Sequence, residues 1–174
     1  MLYHHINELE KRWPGFNKRP FNASELVDLA EDMGIRVVKS DLVECAGICY
    51  NDGRYLLMEN PHMPELERTL ALGHELGHFA LGHVNEAQDL SYHSSCFATT
   101  GIEKDAGIIG SLLWYPTPLL EQYPDAHTIP ERLFEYVKHF NDEILEEDLF
   151  RICWARYRIF SGFHRVKEKE QDTA

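Results

Sequence analysis

Residues 70–83 read LALGHELGHFALGH and hold three Gly-His pairs. At 100° per residue on a helix, His74 and His78 lie about 40° apart in azimuth and point the same way. His83 lies five residues beyond His78, about 140° round the helix, and cannot join them without a break. Glu75 completes His-Glu-x-x-His, in which two imidazoles bind zinc and the glutamate serves as general base. Zinc needs neutral nitrogens about 2 Å away and converging on one point, and a four-residue helical step brings two together. The glutamate one residue on is offset from the metal yet within reach of a water beside it. The bland alternative is a chance match in a chain carrying 10 histidines.

A third ligand must come from elsewhere. The metzincin extension requires glycine three residues after the second histidine and a histidine three further on. Those positions are Leu81 and Val84, with Gly82 and His83 out of register. A following helix, TTGIEKDAGIIGSLLWYP, offers Glu103 and Asp105. Thr100 and Glu103 have capping-box spacing, which gives Glu103 a structural role. Asp105 neighbours Ile102, Ile108 and Ile109, so the periodicity sets it on an apolar face, where a charge is costly unless paired or bound to metal. The expected metal ligands are His74, His78 and Asp105, with Glu75 as the catalytic base and water in the remaining position.

Glycine costs a helix about 1 kcal/mol relative to alanine, so Gly73 and Gly77 need a reason. They line one ridge, where small residues let another backbone approach closely.

The elements that position these groups are marked along the chain. FNASELVDLAEDMG predicts a helix, with Asn22 and Glu25 as a capping box, Phe21 stapled onto Leu26, and Gly34 as the stop. Residues 35–39 read as a strand. CAGICY and RYLLME flank NDG (51–53), read as a three-residue hairpin loop with glycine at the left-handed position, so a small antiparallel sheet is expected. The His-Glu-x-x-His helix runs from about Pro64, which suits the first turn, to His83. Residues 84–99 are polar without a clear period. A second long helix spans about 101–114, stopped by Pro116 and Pro118. Helices are expected at about 128–140 and 143–160. One domain over 1–163 and a disordered tail over 164–174 follow.

Composition excludes several classes. The chain of 174 residues carries 17 Lys and Arg against 29 Asp and Glu, a net charge of −12. Phosphate binding relies on clustered cations, so no nucleic-acid partner is expected, and the basic stretch RICWARYRIF reads as a solvated helix face. No apolar run is long enough to span a bilayer and the start lacks a signal-peptide core, so no membrane partner and a cytoplasmic location are expected. Cys45, Cys49, Cys96 and Cys153 lack zinc-knuckle spacing and read as small buried hydrophobes in a reducing compartment.

Together these residues resemble the ImmA/IrrE family of zinc metallopeptidases of bacteria and their phages. The family pattern R-x-x-x-A-H-E-L-G-H-x-x-L-H appears here as RTLALGHELGHFALGH (Arg68 to His83). The family pattern E-A-N-x-F-A-x-x-L-L-M-P appears as DAGIIGSLLWYP (Asp105 to Pro116). The order of elements also fits, over about residues 21–118. The resemblance implies an α+β, zincin-like fold with a small sheet, a His-Glu-x-x-His helix and a third-ligand helix. It implies His74 and His78 as zinc ligands, Glu75 as base, and Asp105 at the position of the family's ligand glutamate. Zn2+ is the expected cofactor, with Mn2+ a possible substitute. This chain departs from the pattern in its shorter aspartate, in Gly107 for asparagine, and in the bulkier Ile108 and Ile109.

The resemblance further implies a regulatory endopeptidase acting on a protein partner, such as a helix-turn-helix transcriptional repressor. The rival reading is a non-catalytic zinc-containing binding module, a repressor antagonist or toxin-antitoxin component. Structural zinc sites fill all four positions with protein ligands, often cysteine, and no cysteine lies near the motif. Tyr92, His93, Tyr115 and His127 are candidates for steadying an oxyanion.

Overall fold

The computed structural model describes residues 2–41, 46–84 and 101–120, without the side chains of Tyr3, Lys104 and Leu120. The first helix, α1 (Leu2–Arg12), is heavily charged, but Ile6, Leu9 and the following Trp13 recur at helical spacing and are buried. A turn through Gly15 and Asn17 leads to α2 (Ala23–Asp32). Its capping box forms as expected. The Asn22 side chain accepts from the Glu25 N–H at 2.9 Å, and Glu25 accepts from the Asn22 N–H at 3.0 Å. Phe21 and Leu26, the staple pair, are both buried.

Gly34 ends α2 in the left-handed region, with φ 79°. The Gly34 N–H bonds to the Glu31 carbonyl and the Ile35 N–H to the Ala30 carbonyl. This bonding pattern is a Schellman motif, and its apolar pair, Ile35 with Ala30, is buried.

Three strands follow: β1 (Arg36–Lys39), β2 (Ala46–Asn51) and β3 (Arg54–Glu59), in spatial order β1-β3-β2. β2 and β3 form the expected hairpin, with Asn51 opposite Arg54. Its loop has two residues rather than three. Asp52 and Gly53 both have positive φ, 48° and 76°, the primed turn whose twist matches that of the flanking strands. β1 pairs with β3 in parallel, Arg36 opposite Leu56, so the sheet is mixed rather than antiparallel. The excursion from β1 to β2 returns the chain on the far side of β3. Local turn residues specify the hairpin but carry no signal for that long-range pairing.

Helix α3 (Glu65–Ala80) crosses the middle of the fold, against α2, β2 and α4 (Gly101–Trp114). Pro64 is the N-cap, one residue before the first turn in which the sequence sets it. Arg68 ties α3 to the end of β3 through a 2.8 Å ion pair with the buried Glu59. Glu65 accepts from the Ala23 N–H at 3.0 Å and so joins the starts of α2 and α3. A short α5 (Thr117–Leu120) follows Pro116, and its first N–H donates to the Asn17 side chain at 2.8 Å. The core runs from Ile6, Trp13 and Phe16 through Leu26 and Leu57 to Leu72, Leu76, Ile109 and Leu112. Among the described residues no helix is long and apolar enough to cross a membrane. The helices expected over 128–140 and 143–160 and the tail over 164–174 lie outside the described residues.

Candidate metal centre

Every residue of α3 from Thr69 to His78 is buried. A helix enclosed on all sides can admit a second helix closely only where it lacks side chains. A Cβ at Gly73 would lie 3.2 Å from the Gly110 carbonyl oxygen, and a Cβ at Gly110 would lie 2.7 Å from the Gly73 carbonyl. A Cβ at Gly77 would overlap the Ala106 carbonyl outright. Gly73 and Gly77 therefore form the ridge expected of them, and α4 packs backbone to backbone upon it.

The face of α4 turned to α3 thus carries Ala106 and Gly110. Glu103, one turn before Ala106, falls on that same face. It is only 4% exposed, and its Oε2 lies 3.0 Å from His74 Nε2 and 3.3 Å from His78 Nε2. The two Nε2 atoms are 3.1 Å apart. The structure brings His74 and His78 together, as their spacing predicts, and closes a triangle with Glu103.

Asp105 does not join them. Two residues from Glu103, it lies about 200° round the helix and so points away from α3. It is half-buried, and its charge is felt at His83. The structure therefore brings Glu103, and not the expected Asp105, to the two histidines. The bulky Ile102, Ile108 and Ile109 mark a different face of the helix. The contact with α3 is instead made by the small Ala106 and Gly110, and Ile102 is 54% exposed.

Glu75 is buried beside the cluster, and its Oε2 accepts from the Ile48 N–H of β2 at 2.9 Å. In the hairpin register Ile48 faces Leu57, two positions beyond the Tyr50–Tyr55 pair next to the turn. In a two-residue hairpin this is a non-hydrogen-bonded pair, whose N–H groups point away from the partner strand. The amide is therefore free of β3 and available to orient Glu75.

His83, excluded by the helical wheel, also reaches the cluster. The sequence predicts a helix through His83, but α3 stops at Ala80 and Gly82 adopts φ 68°. His83 Nδ1 lies 3.1 Å from His78 Nδ1, on the side of that ring opposite the triangle. A left-handed glycine is the break that His83 required, and Gly82 was its signal in the sequence.

Burial, reinforced by the His74 ring, pushes His78 down from 6.5 to about 4, against the pull of Glu103. Burial lowers His83 as well, with Asp105 and Glu103 opposing. His78 is therefore neutral at pH 7, the form in which imidazole binds a metal.

Three donor atoms at mutual separations of 3.0 to 3.3 Å suit one small cation. Ligands about 2.0–2.1 Å from tetrahedral zinc are separated by about 3.3 Å. Two imidazoles and one carboxylate are also a donor set that catalytic zinc sites use, with the fourth position left to water. Among the described residues this is the one group of side chains placed to hold a metal. The residues present therefore fit zinc.

Of the oxyanion candidates, Tyr115 lies twelve residues from Glu103, roughly 18 Å along α4, and is wholly buried beside Trp114. That position removes it from the centre. Tyr92, His93 and His127 lie outside the described residues. Cys49 is a buried free thiol whose burial raises its pKa, consistent with a structural role. Cys45, Cys96 and Cys153 lie outside the described residues.

An α+β domain with a mixed three-stranded sheet and a buried His-His-Glu cluster beside a glutamate is the architecture of a metallopeptidase-like domain. The chain matches the peptidase M78 family, described as the IrrE N-terminal-like domain, over residues 30–152, and it belongs to this ImmA/IrrE family. The match runs beyond residue 118, where the sequence resemblance ends. No curated protein and no solved structure matches the chain.

Proposed function

We propose that this protein is a zinc-dependent endopeptidase in which His74, His78 and Glu103 hold the metal and Glu75 is the general base. The observation that carries the reading is the triangle of donor atoms, 3.0 to 3.3 Å on a side, set beside a buried glutamate. When bound, zinc supplies Lewis acidity that polarises a peptide carbonyl and eases the loss of a proton from water. Glu75 takes that proton and returns it to the departing amine. The Ile48 N–H holds Glu75 through Oε2 at 2.9 Å and orients its carboxylate. Burial of His74, His78 and Glu103 keeps water from competing for their donor atoms. By the sequence resemblance, its role is regulatory and its substrate a protein such as a helix-turn-helix repressor.

The test is Glu75→Gln beside wild type, with zinc content and cleavage of the protein partner both measured. The swap preserves shape and removes the basic carboxylate. Retained zinc with lost cleavage is the expected result. Full biological activity of Glu75→Gln with zinc retained would overturn the peptidase and leave a zinc-containing binding module.

A further inference from the structure

Helices α2 and α3 end in the same way. In each, a glycine in the left-handed region sends the next residue back over the last turn. At α2 the Ile35 N–H bonds to the Ala30 carbonyl at 3.0 Å, and at α3 the His83 N–H bonds to the His78 carbonyl at 3.0 Å. The second bond of the motif is also present at both ends, from Gly34 to Glu31 and from Gly82 to Phe79. A Schellman motif normally brings two apolar side chains together at these positions, as it does with Ile35 and Ala30. At α3 the two positions hold imidazoles, with ring centroids 5.3 Å apart and Nδ1 atoms 3.1 Å apart.

We propose that His83 is a positioning residue for His78: its Nδ1 accepts a hydrogen bond from His78 Nδ1–H and thereby directs the lone pair of His78 Nε2 into the metal centre. The inference rests on the metal-site reading above. Two neutral imidazoles joined through their Nδ1 atoms share one proton, so one ring donates and the other accepts. With His78 as donor, its Nε2 carries a lone pair facing Glu103 and His74. With His83 as donor, His78 Nε2 carries a hydrogen pointing at the place of the cation. Ligand binding at Nε2 selects the first arrangement, and His83 supplies the acceptor that this arrangement requires. His74 has no such support, since its buried Nδ1 finds no hydrogen-bond partner among the described residues. The two ligand histidines are therefore unequal, and the orientation of the pair depends on the end of α3.

Zinc affinity, measured by competition with a chelator of known affinity, tests the proposal on wild type, His83→Phe and His83→Asn. Phenylalanine keeps a ring in the motif and removes the acceptor. Asparagine places an oxygen where Nδ1 stood. His83→Phe should bind zinc about 10- to 100-fold more weakly, the usual loss when a partner of a ligand histidine is removed, and His83→Asn should recover most of it. Nitrogen NMR of the zinc-loaded protein supplies a readout that packing alone does not move. The expected spectrum has His78 coordinated through Nε2 with a hydrogen-bonded Nδ1–H, a signal lost in His83→Phe and restored in His83→Asn. Wild-type affinity in His83→Phe, equal losses in both variants, or direct coordination by His83 would each overturn the proposal. A wild type that takes up no zinc would overturn the metal-site reading and this inference with it, which separates the two failures.

Discussion

Gly77 of α3 and the Ala106 carbonyl of α4 meet so closely that no side chain fits between them. This contact sets how near α4 comes, and therefore whether Glu103 reaches the histidines one turn away. Gly77→Ala should force the helices apart at a cost of about 1–3 kcal/mol and weaken zinc binding as well. Gly101→Ala, where an added Cβ meets nothing within 4 Å, is the matched control. Thermal melts and zinc titrations on the two variants check this. A Gly77→Ala protein as stable and as tight for zinc as Gly101→Ala would disprove the close approach.

Glu103→Ala should abolish tight zinc binding, whereas Asp105→Ala should leave it within a few-fold of wild type. The two carboxylates are two residues apart on opposite sides of α4, so one substitution cannot mimic the other. Metal content after gel filtration decides between them. Zinc lost from Asp105→Ala and kept in Glu103→Ala would make Asp105 the third ligand.

Local patterns carried much of the centre. The spacing of His74 and His78, the capping box at Asn22 and the stop at Gly34 all depend on residues within one or two turns. The third carboxylate did not, because choosing it needs the face of α4 that meets α3. Bulky apolar residues mark burial, but Ala106 and Gly110 mark close approach, and these signals pointed to different faces. The parallel pairing of β1 with β3 likewise depends on contacts distant in sequence. Helix α1 carried a readable pattern in Ile6, Leu9 and Trp13, obscured by its charge. A helical wheel misplaces His83 because it continues the helix, which ends at Ala80 before the left-handed Gly82.

Gly82→Ala tests that ending without touching an imidazole. An added Cβ meets nothing within 4 Å, so the cost arises from φ 68° alone. A left-handed non-glycine residue costs roughly 1–2 kcal/mol. The variant should lose about that much stability and, where the turn relaxes, weaken zinc binding in parallel with His83→Phe. Chemical denaturation with a chelator present isolates the stability effect. A variant as stable as wild type would show that the turn has no need of glycine.

The metal-free protein should lose stability as pH falls from about 6.5 towards about 4. His78 has its ordinary value in the unfolded chain and a depressed one in the fold. Between the two values the unfolded chain binds a proton that the folded chain refuses, so stability rises with pH through this window. His83, also lowered by burial, adds to the same slope. Melts of the chelator-treated protein across the window, beside His78→Asn, check the sign. A midpoint that rises on acidification would contradict it.

Ile48→Pro removes the N–H that holds Glu75 while leaving the carboxylate in place. Proline is tolerated in a sheet where the missing N–H faces away from the partner strand, and the register places the Ile48 amide on that side. β2 pairs only with β3 among the described strands, so no other ladder bond is lost. Zinc content should therefore stay at the wild-type level, since Ile48 does not touch His74, His78 or Glu103 through this amide. A hydrogen bond to a charged group contributes about 1.5–3 kcal/mol, so hydrolysis of the protein substrate should slow about 10- to 100-fold as Glu75 loses its orientation. The combination separates this variant from Glu103→Ala, which loses the metal, and from Glu75→Gln, which loses the base. Unchanged cleavage by a folded, zinc-loaded Ile48→Pro protein would show that Glu75 needs no anchor on β2.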